Sequence, residues 1–111
     1  MRFARVTLAA DDTPATLKAL LALTAKFDFI AFITIFAEPG NEDDATNGPA
    51  RIGGSDVDRV AAGGVKGIQL LPGILYPDLF PPINGGGVYS FEQIYLTGKT
   101  GDVFQIFYKV V

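Results

Sequence analysis

Apolar and polar residues alternate near both ends of the chain. Over residues 2–10, Ala4, Val6, Leu8 and Ala10 fall on one side, and Phe3, Arg5 and Thr7 on the other. A period of two predicts a half-buried strand. Over residues 102–111, Phe104, Ile106, Tyr108 and Val110 alternate with Gln105 and Lys109, which predicts another. Residues 28–38, "DFIAFITIFAE", form the strongest strand pattern. One face carries Phe29, Ala31, Ile33, Ile35 and Ala37, the other Ile30, Phe32, Thr34 and Phe36. Both faces are apolar, so the strand is either central with its back covered, or its second face meets another chain.

A different period appears in "DDTPATLKALLALTAK". Leu17, Leu20, Leu21 and Thr24 lie on one helical face, Thr13 suits an N-cap and Pro14 the first helical position. Lys26 falls near the C-terminal end, where a cation is favourable. This predicts one short helix. Residues 39–49, "PGNEDDATNGP", read as a polar loop, and Pro72-Gly73 as a turn. Short strands follow at residues 51–54, 67–71 and 91–97. The prolines in "ILYPDLFPPINGGGVYS" confine any strand there to a sheet edge, and Gly85-Gly86-Gly87 marks a loop tip. Turn signals at intervals near ten residues predict a mainly β fold, an antiparallel, jelly-roll-like β-sandwich of about seven or eight strands.

Composition narrows the chemistry. A chain of 111 residues makes one domain, residues 1–111, and can bury a core. There is no Cys and no His, so thiol chemistry, Ser-His-Asp catalysis and ordinary zinc sites are excluded. No metal site or cofactor is expected: Glu42, Asp43 and Asp44 lack the alternate-residue spacing of a calcium loop. The net charge is −3 and the nine basic residues are scattered, which argues against a nucleic-acid partner. The apolar runs are too short to span a bilayer, so the chain reads as soluble and made in a cytoplasm.

Gly98-Lys99-Thr100 resembles the end of a phosphate-binding loop. That loop needs a glycine five positions before Gly98, where this chain has Gln93, and a helix after it. A strand pattern follows instead. The reading is a tight hairpin turn between the last two strands, with glycines at its φ > 0 positions.

The order "ARIGGSDV", "KGIQLLPGILY", "FEQIYLTGKTGDVFQIFY" resembles a pattern in small bacteriophage virion proteins. The matching positions are Ile52, Gly53, Gly54, Ser55, Asp56 and Val57, then Gly67, Ile68, Leu70, Pro72 and Gly73, then Ile94, Tyr95, Leu96, Gly98, Gly101 and Asp102. The preceding "ITIFAEPGNEDD" also fits, so the resemblance covers residues 28–110. "DRVAAGGV" and "PDLFPPINGGGVYS" look like local elaborations. The resemblance implies a non-enzymatic structural part of a phage particle, foremost a capsid decoration or cement protein that self-associates and binds the major capsid protein. A trimer is implied if it sits at capsid three-fold positions. Neck, tail or fibre accessory proteins share the pattern.

The residues for such contacts are Phe32 and Phe36 on the two-faced strand, and Ile74, Leu75, Tyr76, Leu79 and Phe80 in the proline-stiffened segment. A carbohydrate- or receptor-binding module is an alternative, with Tyr76, Tyr89 and Tyr95 as platforms. An enzyme with paired carboxylates has candidates in Glu38, Asp78 and Glu92, which no spacing brings together, and in Asp56 and Asp58, which share a side if extended but read better as flanking a turn.

Overall fold

The computed structural model describes residues 1–24, 29–60, 64–77, 79 and 89–110. Among them are eight strands and one short helix: β1 (Arg2–Thr7), β2 (Ala15–Thr16), α1 (Leu17–Leu20), β3 (Ile30–Ala37), β4 (Ala50–Gly53), β5 (Ile68–Leu70), β6 (Leu75–Tyr76), β7 (Tyr95–Thr97) and β8 (Val103–Val110). They form two four-stranded sheets, in the orders β1-β8-β3-β6 and β2-β7-β4-β5. Every pairing is antiparallel.

Four pairings follow one rule: β1 with β8, β2 with β7, β3 with β6 and β4 with β5. That is a chain doubled back on itself near its middle. The other two, β3 with β8 and β4 with β7, gather the doubled ribbon into two sheets. Inward residues of both sheets join one apolar cluster: Val6, Ile33, Ile35, Phe104 and Ile106 from the first, Ile52, Leu70 and Leu96 from the second, with Leu17 and Phe91. Each such side chain contributes about 1.5–3 kcal/mol by leaving water.

Several elements differ from their sequence patterns. The expected closing hairpin is absent, because β7 and β8 belong to different sheets. The turn between them crosses from one sheet to the other, with the Asp102 N–H donating to the Lys99 carbonyl and the Gly101 N–H to that of Leu8. Alternation and a glycine turn are the same whether two strands pair or part. Only Gly101 uses its freedom at positive φ (91°). Gly98 serves a close approach instead: a Cβ there would lie 2.7 Å from Asp102 Oδ2 and 2.9 Å from the Ala50 Cβ.

The helix is shorter than its pattern and starts later. Ala15 and Thr16 pair with β7, so the chain is still extended there. The cap is Thr16, whose Oγ accepts the Ala19 N–H at 3.1 Å, and not Thr13, whose hydroxyl donates to the Asp11 carbonyl. The Leu17 and Lys18 N–H groups donate to the carbonyls of Ile94 and Phe91, which pins the first turn to the segment before β7. Ala22, at φ 54°, closes it. The expected residue near its C-terminus, Lys26, lies outside the described residues, as does the glycine run 85–87.

β3 also departs from strict alternation. A bulge between Ile30 and Phe32 puts Ile30 opposite Val110 and Phe32 opposite Lys109. The extra residue, Ala31, moves Ile30 to the inner face with Ile33, Ile35 and Ala37, all buried. β1 stops at Thr7, so Ala10 is exposed rather than inward. Of residues 91–97 only 95–97 are strand. β6, followed directly by Pro77, is an edge strand, as expected of a strand in this proline-bearing segment.

The loops joining β1–β2, β3–β4 and β7–β8 are locked together by side chains. Asn41 pairs with Val103 as a strand residue would, donating to its carbonyl at 2.9 Å and accepting its N–H at 2.6 Å. The buried Asp102 accepts N–H bonds from Glu42 and Lys99, each at 3.0 Å. Arg59, 1% exposed, grips Asp12 with Nε and Nη2 at 2.5 and 3.3 Å and donates Nη1 to the Gly48 carbonyl at 3.0 Å. The acidic loop is an ordinary polar turn: Asp44 accepts the N–H groups of Thr46 and Asn47.

Candidate interaction surface

The outer face of the first sheet follows from its register. Phe3 lies opposite Phe107, and Phe107 opposite Thr34. In the next row Arg5 lies opposite Gln105, Gln105 opposite Phe36, and Phe36 opposite Leu75. Phe32 lies opposite Lys109. Residues paired across a sheet point to the same side. The inward neighbours, Val6, Ile33, Ile35, Phe104 and Ile106, are buried, so this row set faces outward.

The result is an apolar patch of Phe3, Phe107, Phe32, Phe36 and Leu75 spanning all four strands. The Phe3 and Phe107 rings are 4.9 Å apart and tilted at 49°, a favourable arrangement for two rings. Phe3, Phe107 and Leu75 are 53%, 37% and 54% exposed. With ~200 Å² for a large side chain, the paired Phe3 and Phe107 leave roughly 180 Å² of exposed apolar surface, and Leu75 on the opposite edge strand roughly 100 Å² more.

A polar cluster borders the patch. Arg5 grips Glu38 in a fork, Nε to Oε2 at 2.7 Å and Nη2 to Oε1 at 2.9 Å, and Gln105 Nε2 approaches Oε2 at 3.4 Å. The Arg5 hydrogen bonds hold the Glu38 carboxyl below the usual range and raise the guanidinium. The pair stays charged across the neutral range and fixes a polar edge on the aromatic surface.

The structure separates the residues expected at a partner surface. Phe32, Phe36 and Leu75 share the outer face, with Phe36 and Leu75 in direct register. Ile74 is exposed in the turn before β6. Tyr76 and Leu79 pack instead against the core cluster. The Tyr76 hydroxyl accepts the Leu71 N–H at 2.7 Å, and the Leu79 N–H donates to the Ile33 carbonyl. Pairing Tyr76 with the inward Ile35 turns it inward while Leu75 faces out. Phe80 lies outside the described residues. Phe3 and Phe107 were missed by sequence reasoning. Their only signal was an aromatic ring at an otherwise polar position of each alternating pattern.

Two of the carboxylates considered for catalysis are engaged separately. Glu38 pairs with Arg5, and Glu92 with Lys18 at 2.7 Å. Asp78 lies outside the described residues. No group of three or more His, Cys, Asp or Glu side chains among the described residues could hold a metal ion. No helix among them is long and apolar enough to cross a membrane. The chain matches no protein family, no curated protein and no solved structure.

Proposed function

We propose that this chain is a non-enzymatic structural protein of a bacteriophage particle, a capsid decoration protein whose aromatic sheet face mediates assembly. The observation that carries the reading is the outward patch of Phe3, Phe107, Phe32, Phe36 and Leu75. A solvated sheet face would carry polar residues at these positions. Aromatic side chains interleaved with Gln105, Thr34 and Lys109 and bordered by the Arg5–Glu38 pair fit the mixed composition of a protein interface, which takes about 800 Å² per partner.

The strand order supports the fold half of the proposal. A doubled ribbon pairing β1-β8, β2-β7, β3-β6 and β4-β5, with β8 meeting β3 and β7 meeting β4, is the connectivity expected of the jelly-roll sandwich we propose. That architecture recurs in viral capsid proteins. The residues shared with the phage pattern have a physical part in it. Asp102 and Asn41 tie two loops to the start of β8, and Gly73, at φ 80°, turns the chain between β5 and β6.

Self-association and shell binding use the same chemistry here, so the face serves a second copy of this chain and, in turn, the major capsid protein. The experiment is the copy number of this chain in purified particles, by quantitative mass spectrometry against the major capsid protein. A ratio near one per capsid subunit is expected. A few to a few dozen copies would move the protein to the neck, tail or fibres. Complete absence would overturn the reading.

A further inference from the structure

The second sheet carries a shallow groove, largely open to solvent, on its outer side, away from the aromatic patch. Its volume is about 570 Å³, and Thr16, Lys18, Ala19, Leu23, Glu92 and Tyr95 line it. Tyr95 alternates with the fully buried Leu96, so its ring faces outward, and it lies opposite Thr16 of the edge strand β2. Ala19 and Leu23 supply apolar wall beside the ring. The polar lining is an ion pair already formed, Lys18 Nζ to Glu92 Oε1 at 2.7 Å.

These groups select a ligand class. The pair cancels its own charge, so an anion at the ammonium would lie beside the Glu92 carboxylate and a cation at the carboxylate beside Lys18, each opposed by a like charge. A neutral ligand meets no such repulsion. The pair uses Oε1 of Glu92, which leaves Oε2 to accept, and the ammonium has two further protons to donate. Thr16 Oγ accepts the Ala19 N–H, which leaves its own proton free to donate. Neighbouring hydroxyls on a ring both donate and accept, and they match a carboxylate and an ammonium set side by side. The C–H face of the same ring matches the tyrosine. Thr16 and Lys18 sit on the pinned first turn of α1, so little ordering is needed on binding.

We infer that this open groove is a binding site for a neutral saccharide, stacked on Tyr95 and hydrogen-bonded through adjacent hydroxyls to Lys18 and Glu92. The site shares no residue with the aromatic patch, so it stands or falls apart from the assembly reading.

The test is an amide NMR titration of the full chain with lactose, maltose, cellobiose and diacetylchitobiose, each to about 20 mM, a range that captures millimolar affinity. At least one is expected to bind, with shifts concentrated at Thr16, Lys18, Ala19 and Tyr95. Tyr95→Ala is expected to weaken that binding about tenfold, the effect of losing one aromatic anchor. Because Tyr95 pairs within the sheet, Glu92→Gln is the second variant. Its side chain is exposed, the fold is expected to persist with an unchanged melting temperature, and binding is expected to fall several-fold. Phe107→Lys, on the other sheet, is expected to bind as the wild type does. The inference is overturned if none of the four sugars shifts these amides, if the shifts map elsewhere, or if Glu92→Gln binds undiminished. Stronger binding of sialyllactose than of lactose would also overturn it.

Discussion

Arg59 shows what one side chain contributes to this molecule. It is buried, holds both oxygens of Asp12 and reaches the Gly48 carbonyl, joining three loops. Removing one partner of such a pair strands the other charge. Arg59→Met is expected to destabilise the protein by about 3 kcal/mol in urea denaturation, and Arg59→Lys by less, since Lys keeps the charge and loses the fork. Equal stability of Arg59→Met and wild type would refute the clamp. Gly98 and Gly101 make a second test. Gly98→Ala places a methyl against Asp102, Ala50 and Leu8 and is expected to lose about 1–3 kcal/mol. Gly101→Ala meets open space and only strains the backbone at φ 91°, losing about 1 kcal/mol. The reverse ranking would contradict these separate roles. None of this was legible in the sequence. Arg59 was one of nine scattered basic residues, and both glycines read alike as turn formers. A clamp between residues 47 positions apart leaves no local pattern.

At the level of elements, the alternating patterns located β1, β3 and β8 well, because a half-buried strand writes its burial into every second residue. They failed where tertiary contacts decided the outcome. The stretch 13–26 has helical spacing, yet pairing with β7 holds residues 15–16 extended and leaves α1 only four residues. The hairpin expected at residues 98–101 became a crossing between sheets, a choice set by distant partners. The loops at that end carry a pH prediction. Asp11 is held below the usual carboxylate range chiefly by the Thr100 N–H and then its hydroxyl, and Asp44 by the N–H groups of Thr46 and Asn47. A carboxylate whose folded pKa is lowered adds stability above its unfolded value, roughly 4, and that stability is lost as pH falls through the folded value. The melting temperature is therefore expected to fall in acid below about pH 4. In Asp11→Asn and Asp44→Asn, which keep an acceptor oxygen without a titrating charge, the acid slope is expected to flatten. An unchanged slope in the double variant would contradict this.

For the whole molecule, the central claim concerns the outer face of the first sheet. The sequence pointed there through β3, whose second apolar face asked for a cover, and Phe32, Phe36 and Leu75 do lie on it. The rest was hidden because Phe3 and Phe107 are each a lone exposed aromatic, which is common on any surface. Only the pairing of β1 with β8 places their rings together. The most direct measurement is sedimentation equilibrium of the purified chain and its Phe107→Lys variant, up to about 100 µM, with melting temperatures alongside. The prediction is an oligomer for the wild type and a monomer for the variant at an unchanged melting temperature. A wild type that stays monomeric throughout, or a variant that associates equally well, would contradict it.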